Sequence, residues 1–144
     1  MFKKYSKQRF KQKFPRNVKF LISKYFAIDN WLEEQNLKMV EQDGYTLEFV
    51  KEQTENICLK AVEKEGFALR FVKEQTEKIC LKAVKKHGDV LQFVKKQTEN
   101  ICLKAFEQNG CASKYVKEPT EKIIQKCIMM MLQKTYQQIL NQKI

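Results

Sequence analysis

Four consecutive stretches of this chain carry the same wording at a period of 22 residues. They run Gly44–Glu65, Gly66–His87, Gly88–Asn109 and Gly110–Met131, and they align without a gap. The first three read GYTLEFVKEQTENICLKAVEKE, GFALRFVKEQTEKICLKAVKKH and GDVLQFVKKQTENICLKAFEQN; the fourth, GCASKYVKEPTEKIIQKCIMMM, is eroded but in register. Such a period marks one supersecondary unit stacked on copies of itself, because no unit can bury its own apolar face. A fainter fifth copy precedes them. Leu37, Lys38, Val40 and Glu41 fall on the phase of Leu59, Lys60, Val62 and Glu63, with Ile22 where the opening Gly would stand.

Each unit parses into two short helices. Thr54, Thr76, Thr98 and Thr120 are placed as N-caps, with hydroxyls that can accept from free N–H groups of the first turn. A Glu follows each Thr, where a carboxylate favours the positive end of the helix dipole. The helix then carries Ile57, Cys58, Leu59, Ala61 and Val62 over an arc of about 200°, with Lys60 and Glu63 opposite. Gly66, Gly88 and Gly110 are expected to end these helices in the left-handed conformation. Tyr45, Leu47, Phe49 and Val50 predict a second helix of about two turns. A strand competes for that run, since Tyr, Phe and Val favour strands, but adjacent Phe49 and Val50 break strict alternation. The expected fold is all-α, a solenoid of helix–turn–helix repeats.

No Gly follows Met131, so the last helix is predicted to run from Glu121 to about Asn141, twice the internal length. Met131, Leu132, Tyr136, Ile139 and Leu140 recur on it at helical spacing. They either fold back as a cap or meet a second subunit. The organisation is then 1–43 as a basic segment with an amphipathic helix after Pro15 and the degenerate repeat, 44–131 as four repeats, and 132–144 as the extended final helix.

Charge is concentrated at one end. The net charge is +11, and residues 1–25 hold nine Lys and Arg and no acid. Lys3, Lys4, Lys7, Arg9, Lys11, Lys13, Arg16 and Lys19 alternate there with Phe2, Tyr5, Phe10 and Phe14. Cations interleaved with aromatics suit phosphate neutralisation plus base stacking, so these residues with Tyr5 are candidates for nucleic-acid or acidic-surface binding. Two rivals stand beside that reading: a targeting address, and aromatic packing on the first repeat with solvated lysines. The longest apolar run, Cys127 to Leu132, falls far short of the roughly 20 residues of a membrane span.

The pattern G-Y/F-x-L-x-F-V-K…Q-T-E-x-I-C-L-K-A-V resembles a helical-repeat family known only as a domain of unknown function, abundant in mimivirus-like giant viruses. The likeness covers Gly44 to Met131. It implies a giant-virus protein acting in the cytoplasm of an infected host cell. It implies no chemistry, because the family has no catalytic motif to carry over.

The remaining candidate sites read as structural. Cys58, Cys80 and Cys102 share one repeat position. Packed helices stand about 8–10 Å apart, beyond the roughly 7 Å Cα reach of a disulfide. With no C-x-x-C and one His, no disulfide, metal site or cofactor is expected. Lys51, Lys73, Lys95 and Lys117 form one ladder, Lys60, Lys82, Lys104 and Lys126 another, beside a Glu line. Unit charges of −2, +4, 0 and +2 make these solvated mixed faces rather than a phosphate track. His87 is expected at a surface turn, and Trp31 as an anchor of the N-terminal cap. No Ser-His-Asp set or nucleotide loop appears, so the chain is expected not to be an enzyme.

A protein-binding scaffold is the leading expectation. Specificity would lie where units differ, at Tyr45, Phe67 and Asp89 and at Glu48, Arg70 and Gln92. Nucleic-acid binding through the arm and homodimerisation through the last helix are the alternatives.

Overall fold

A computed structural model describes residues 16–142, with side chains described at 21 and from 23 onward. Those residues form helices and no strand. Helix α1 spans Arg16–Gln42. Four units follow, each a six-residue 3₁₀ helix and then an α-helix. They are η1 (Gly44–Phe49) with α2 (Glu55–Lys64), η2 (Gly66–Phe71) with α3 (Glu77–Lys86), and η3 (Gly88–Phe93) with α4 (Glu99–Gln108). The fourth pairs η4 (Gly110–Tyr115) with α5 (Glu121–Gln142). From α2 to α5 each α-helix packs on the next in sequence, and so does each 3₁₀ helix. The chain divides into two compact units, 1–36 and 37–144, and the repeats lie in the second.

The threonines cap as their position predicts. The Ile57, Ile79, Ile101 and Ile123 N–H groups donate to the hydroxyls of Thr54, Thr76, Thr98 and Thr120 at 3.3–3.4 Å. Each internal α-helix then buries four residues, in α2 Ile57, Cys58, Ala61 and Val62. These span about 140° of the helix. Leu59, at the edge of the predicted arc, is only half-buried, as are Leu81 and Leu103. Ten-residue helices are marginal alone, so this burial between neighbours is what holds them.

The first half-unit is a 3₁₀ helix and not an α-helix. Its backbone closes i→i+3, as in Val50 N–H to Leu47 O at 3.1 Å. Leu47 and Val50 point inward, whereas Tyr45 and Phe49 are exposed.

The glycines act differently from the sequence expectation. None has a positive φ. The α-helices end in an extended residue, and the Gly opens the 3₁₀ helix that follows. A Cβ at Gly44 would sit 2.5 Å from the Ala61 carbonyl oxygen, and one at Gly88 would overlap the Ala105 oxygen. Close approach between the 3₁₀ helix and the end of its own unit's α-helix demands Gly here. At Gly110 the same space is open.

Glutamine joins the units. Gln75 Nε2 donates to Leu69 O at 3.3 Å and to Phe93 O at 3.0 Å, and its Oε1 accepts from Lys95 N–H at 2.9 Å. Gln53 and Gln97 make the same three bonds one unit earlier and later. Each amide thus satisfies backbone groups of two successive units where no backbone partner is available. The lysine ladder 51–117 contributes too. Lys73 Nζ donates to Lys51 O at 2.6 Å, Lys95 Nζ to Lys73 O at 2.8 Å, and Lys117 Nζ to Val94 O at 2.7 Å. These three lysines are structural cations rather than a purely solvated face.

Candidate protein-interaction surfaces

The six residues at variable repeat positions are brought side by side on η1, η2 and η3, which pack in order. Four of those six are already engaged. The Arg70 guanidinium lies 4.5 Å from the Phe71 ring centroid and 5.7 Å from that of Tyr45. Tyr45 and Phe71 meet edge to face at 6.4 Å, and Phe67 packs on Phe93 at 6.2 Å and on His87 at 5.3 Å. Asp89 Oδ1 accepts from Asn109 Nδ2 at 3.1 Å. Gln92 is exposed and donates only to the Asp89 backbone carbonyl, and Glu48 is exposed. His87 ends α3 against Phe67, half-buried, in keeping with a turn position.

The opposite half of each unit offers a surface that sequence reasoning missed. A groove of about 760 Å³ crosses α2, α3 and α4. Leu59 and Leu81 supply its apolar floor, beside Asn56 and Asn100, four lysines and the carboxylates of Glu63 and Glu77. Lys82 pairs with Glu63 at 3.0 Å and Lys60 with Glu41 at 3.7 Å. The Glu63 carboxyl is held below its ordinary range by the hydrogen bond and charge of Lys82. Lys78 and Lys85 have no ion-pair partner among the described residues. The available signal was Leu59, Leu81 and Leu103, an apolar residue kept in three units at the edge of the buried arc.

Four of the five thiols are inert by environment. Burial pushes the Cys80 thiol up to about 11, with the nearby Glu77 carboxylate adding to it. Burial likewise raises Cys58, Cys102 and Cys127. All five cysteines are free, and Cys111 alone of them is exposed. Among the described residues no group of His, Cys, Asp and Glu could hold a metal ion. No helix of the described residues is long and apolar enough to cross a membrane.

Helix α5 matches its predicted extent. Its exposed residues include Met131, Leu132, Tyr136, Ile139 and Leu140, so these final turns do not fold back as a cap. In the unit 1–36, Trp31 is also exposed, contrary to an anchoring role. Lys3, Lys4, Tyr5, Lys7, Arg9, Lys11 and Lys13 lie outside the described residues, and Arg16 and Lys19 are placed only as part of the α1 backbone.

Residues 76–119 match the model of a family described as a domain of unknown function (DUF4116). The match runs from the Thr76 cap through Pro119, two repeat periods. No curated protein and no solved structure matches the chain.

Proposed function

We propose that this chain is a non-enzymatic α-solenoid that binds a protein partner across successive units. The carrying observation is the α2–α4 groove, with its leucine floor and its two unpaired lysines. An apolar floor with uncompensated cations complements a segment that presents apolar and acidic side chains together. The groove crosses three successive units, so a partner can extend along them. Five free thiols suit a reducing compartment, and with the family resemblance they support the cytoplasm of a giant-virus-infected cell as the setting.

The test is anisotropy of a labelled amphipathic peptide with Leu on one face and Glu flanking it. Binding to the wild-type chain should weaken at least about tenfold with Lys78→Glu and Lys85→Glu combined. A peptide with Lys in place of Glu should prefer that variant over the wild type. Equal binding of both peptides to both proteins, or none at all, would defeat the groove assignment. Arg70→Ala with Gln92→Ala should leave this binding unchanged, and a loss there would move the surface to the 3₁₀ side.

A further inference from the structure

We infer that α5 is the interface for a second copy of this chain, joined through the same helix on both sides. The frame of the repeat locates the surface. At the repeat position of Ile124, Cys58, Cys80 and Cys102 are 1–3% exposed, whereas Ile124 is 39% exposed. At the position of Ile128, Val62, Val84 and Phe106 are 0–2% exposed, whereas Ile128 is 51% exposed. In the first three units a further unit packs on the α-helix that carries these residues. On α5 that side is apolar and uncovered. It continues along the helix through Leu132, Tyr136 and Ile139, at spacings of three and four residues that keep one stripe.

Two features choose the occupant. The first is that another repeat, stacked head to tail, does not fit. Pro119 stands where Gln53, Gln75 and Gln97 make their three bonds, so the join to a next unit is gone. Ile124 replaces the small Cys that lets neighbouring helices approach, and its extra methylenes would overpack that contact. The second is charge. The stretch 124–142 carries no acid, and both of its cations are engaged by the body of the chain. Lys126 Nζ pairs with Glu99 at 2.7 Å, and Lys134 Nζ donates to Glu107 O at 3.1 Å. A surface with no free charge selects against a charged partner and does not repel itself. A neutral apolar stripe that does not accept the next repeat is satisfied by its own copy. Such a contact closes with two-fold symmetry.

Sedimentation equilibrium of the full chain over a concentration series tests this. The mass should rise from 17.2 kDa to twice that value and stop. Leu132→Glu alters an exposed residue, so circular dichroism should be unchanged while dimerisation weakens at least about thirtyfold, since the charge enters both sides of the contact. Ile28→Glu on α1 should leave the dimer intact. A constant 17.2 kDa at every concentration would overturn the inference. So would growth beyond twice the monomer, a dimer indifferent to Leu132→Glu, or one that Ile28→Glu dissolves.

Discussion

The first three units and the fourth share a register but differ where a next unit would pack. Gln53, Gln75 and Gln97 give way to Pro119, and Cys58, Cys80 and Cys102 to Ile124. Ala61, Ala83 and Ala105 give way to Cys127. The cap does not change. Thr120 accepts from Ile123 N–H at 3.3 Å, as the other three threonines do from their isoleucines. The Thr cap, which serves its own helix, persists in the fourth unit, and residues that serve the junction to a next unit are the ones replaced. The wording of the repeat is therefore mostly a description of its neighbours.

The sharpest way to break this comparison is at the glutamines. Gln75→Ala strands two carbonyls and one N–H, and should cost about 3 kcal/mol in urea unfolding. Pro119→Gln should change stability by less than about 0.5 kcal/mol. Equal effects at the two positions would mean that the amide does not join the units.

Glycine gives a smaller contrast. Gly88→Ala places a methyl against the Ala105 carbonyl and should cost about 2 kcal/mol. Gly110→Ala meets open space and should be neutral or stabilise by about 0.5 kcal/mol, through a less flexible unfolded chain. Thermal melts of the two variants decide it.

The thiols add a pH dependence. Cys80 has a folded value of about 11 against an ordinary 9.0, so the folded state holds its proton longer than the unfolded state does. That contribution is fully present below about pH 9 and is lost as pH rises towards 11. Urea midpoints should fall over this window, and less steeply in Cys80→Ala. Iodoacetamide near neutral pH should label exposed Cys111 first and Cys80 only on unfolding. A small loss is expected at Arg70→Ala, about 0.5–1 kcal/mol from the lost stacking on Phe71 and Tyr45. No loss in urea unfolding would show that the 3₁₀ rings need no cation.

What could be read in the sequence was what is local or periodic. The Thr caps were legible because donor and acceptor lie three residues apart, and the extent of α5 because no Gly interrupts it. Gln75 was quoted in the pattern without a role, because its partners stand 6, 18 and 20 residues away. A Gly after each helix fitted two causes, a left-handed turn or a close approach, and periodicity cannot separate them. Leu59 looked like core because polarity alone does not say where a buried arc stops. The groove it lines was invisible for that reason.

The glutamine join also bears on how long such a chain can be. Gln53 sees Phe71 O and Lys73 N–H, and Gln75 sees Phe93 O and Lys95 N–H, in the same way. Excising 66–87 whole would present Gln53 with Phe93 and Lys95 in place of Phe71 and Lys73, and duplicating that segment would present the same fit twice. Copy number is thus a variable that a gene can edit in steps of 22 codons without inventing a new contact. Reach along a partner becomes something a lineage can count up or down.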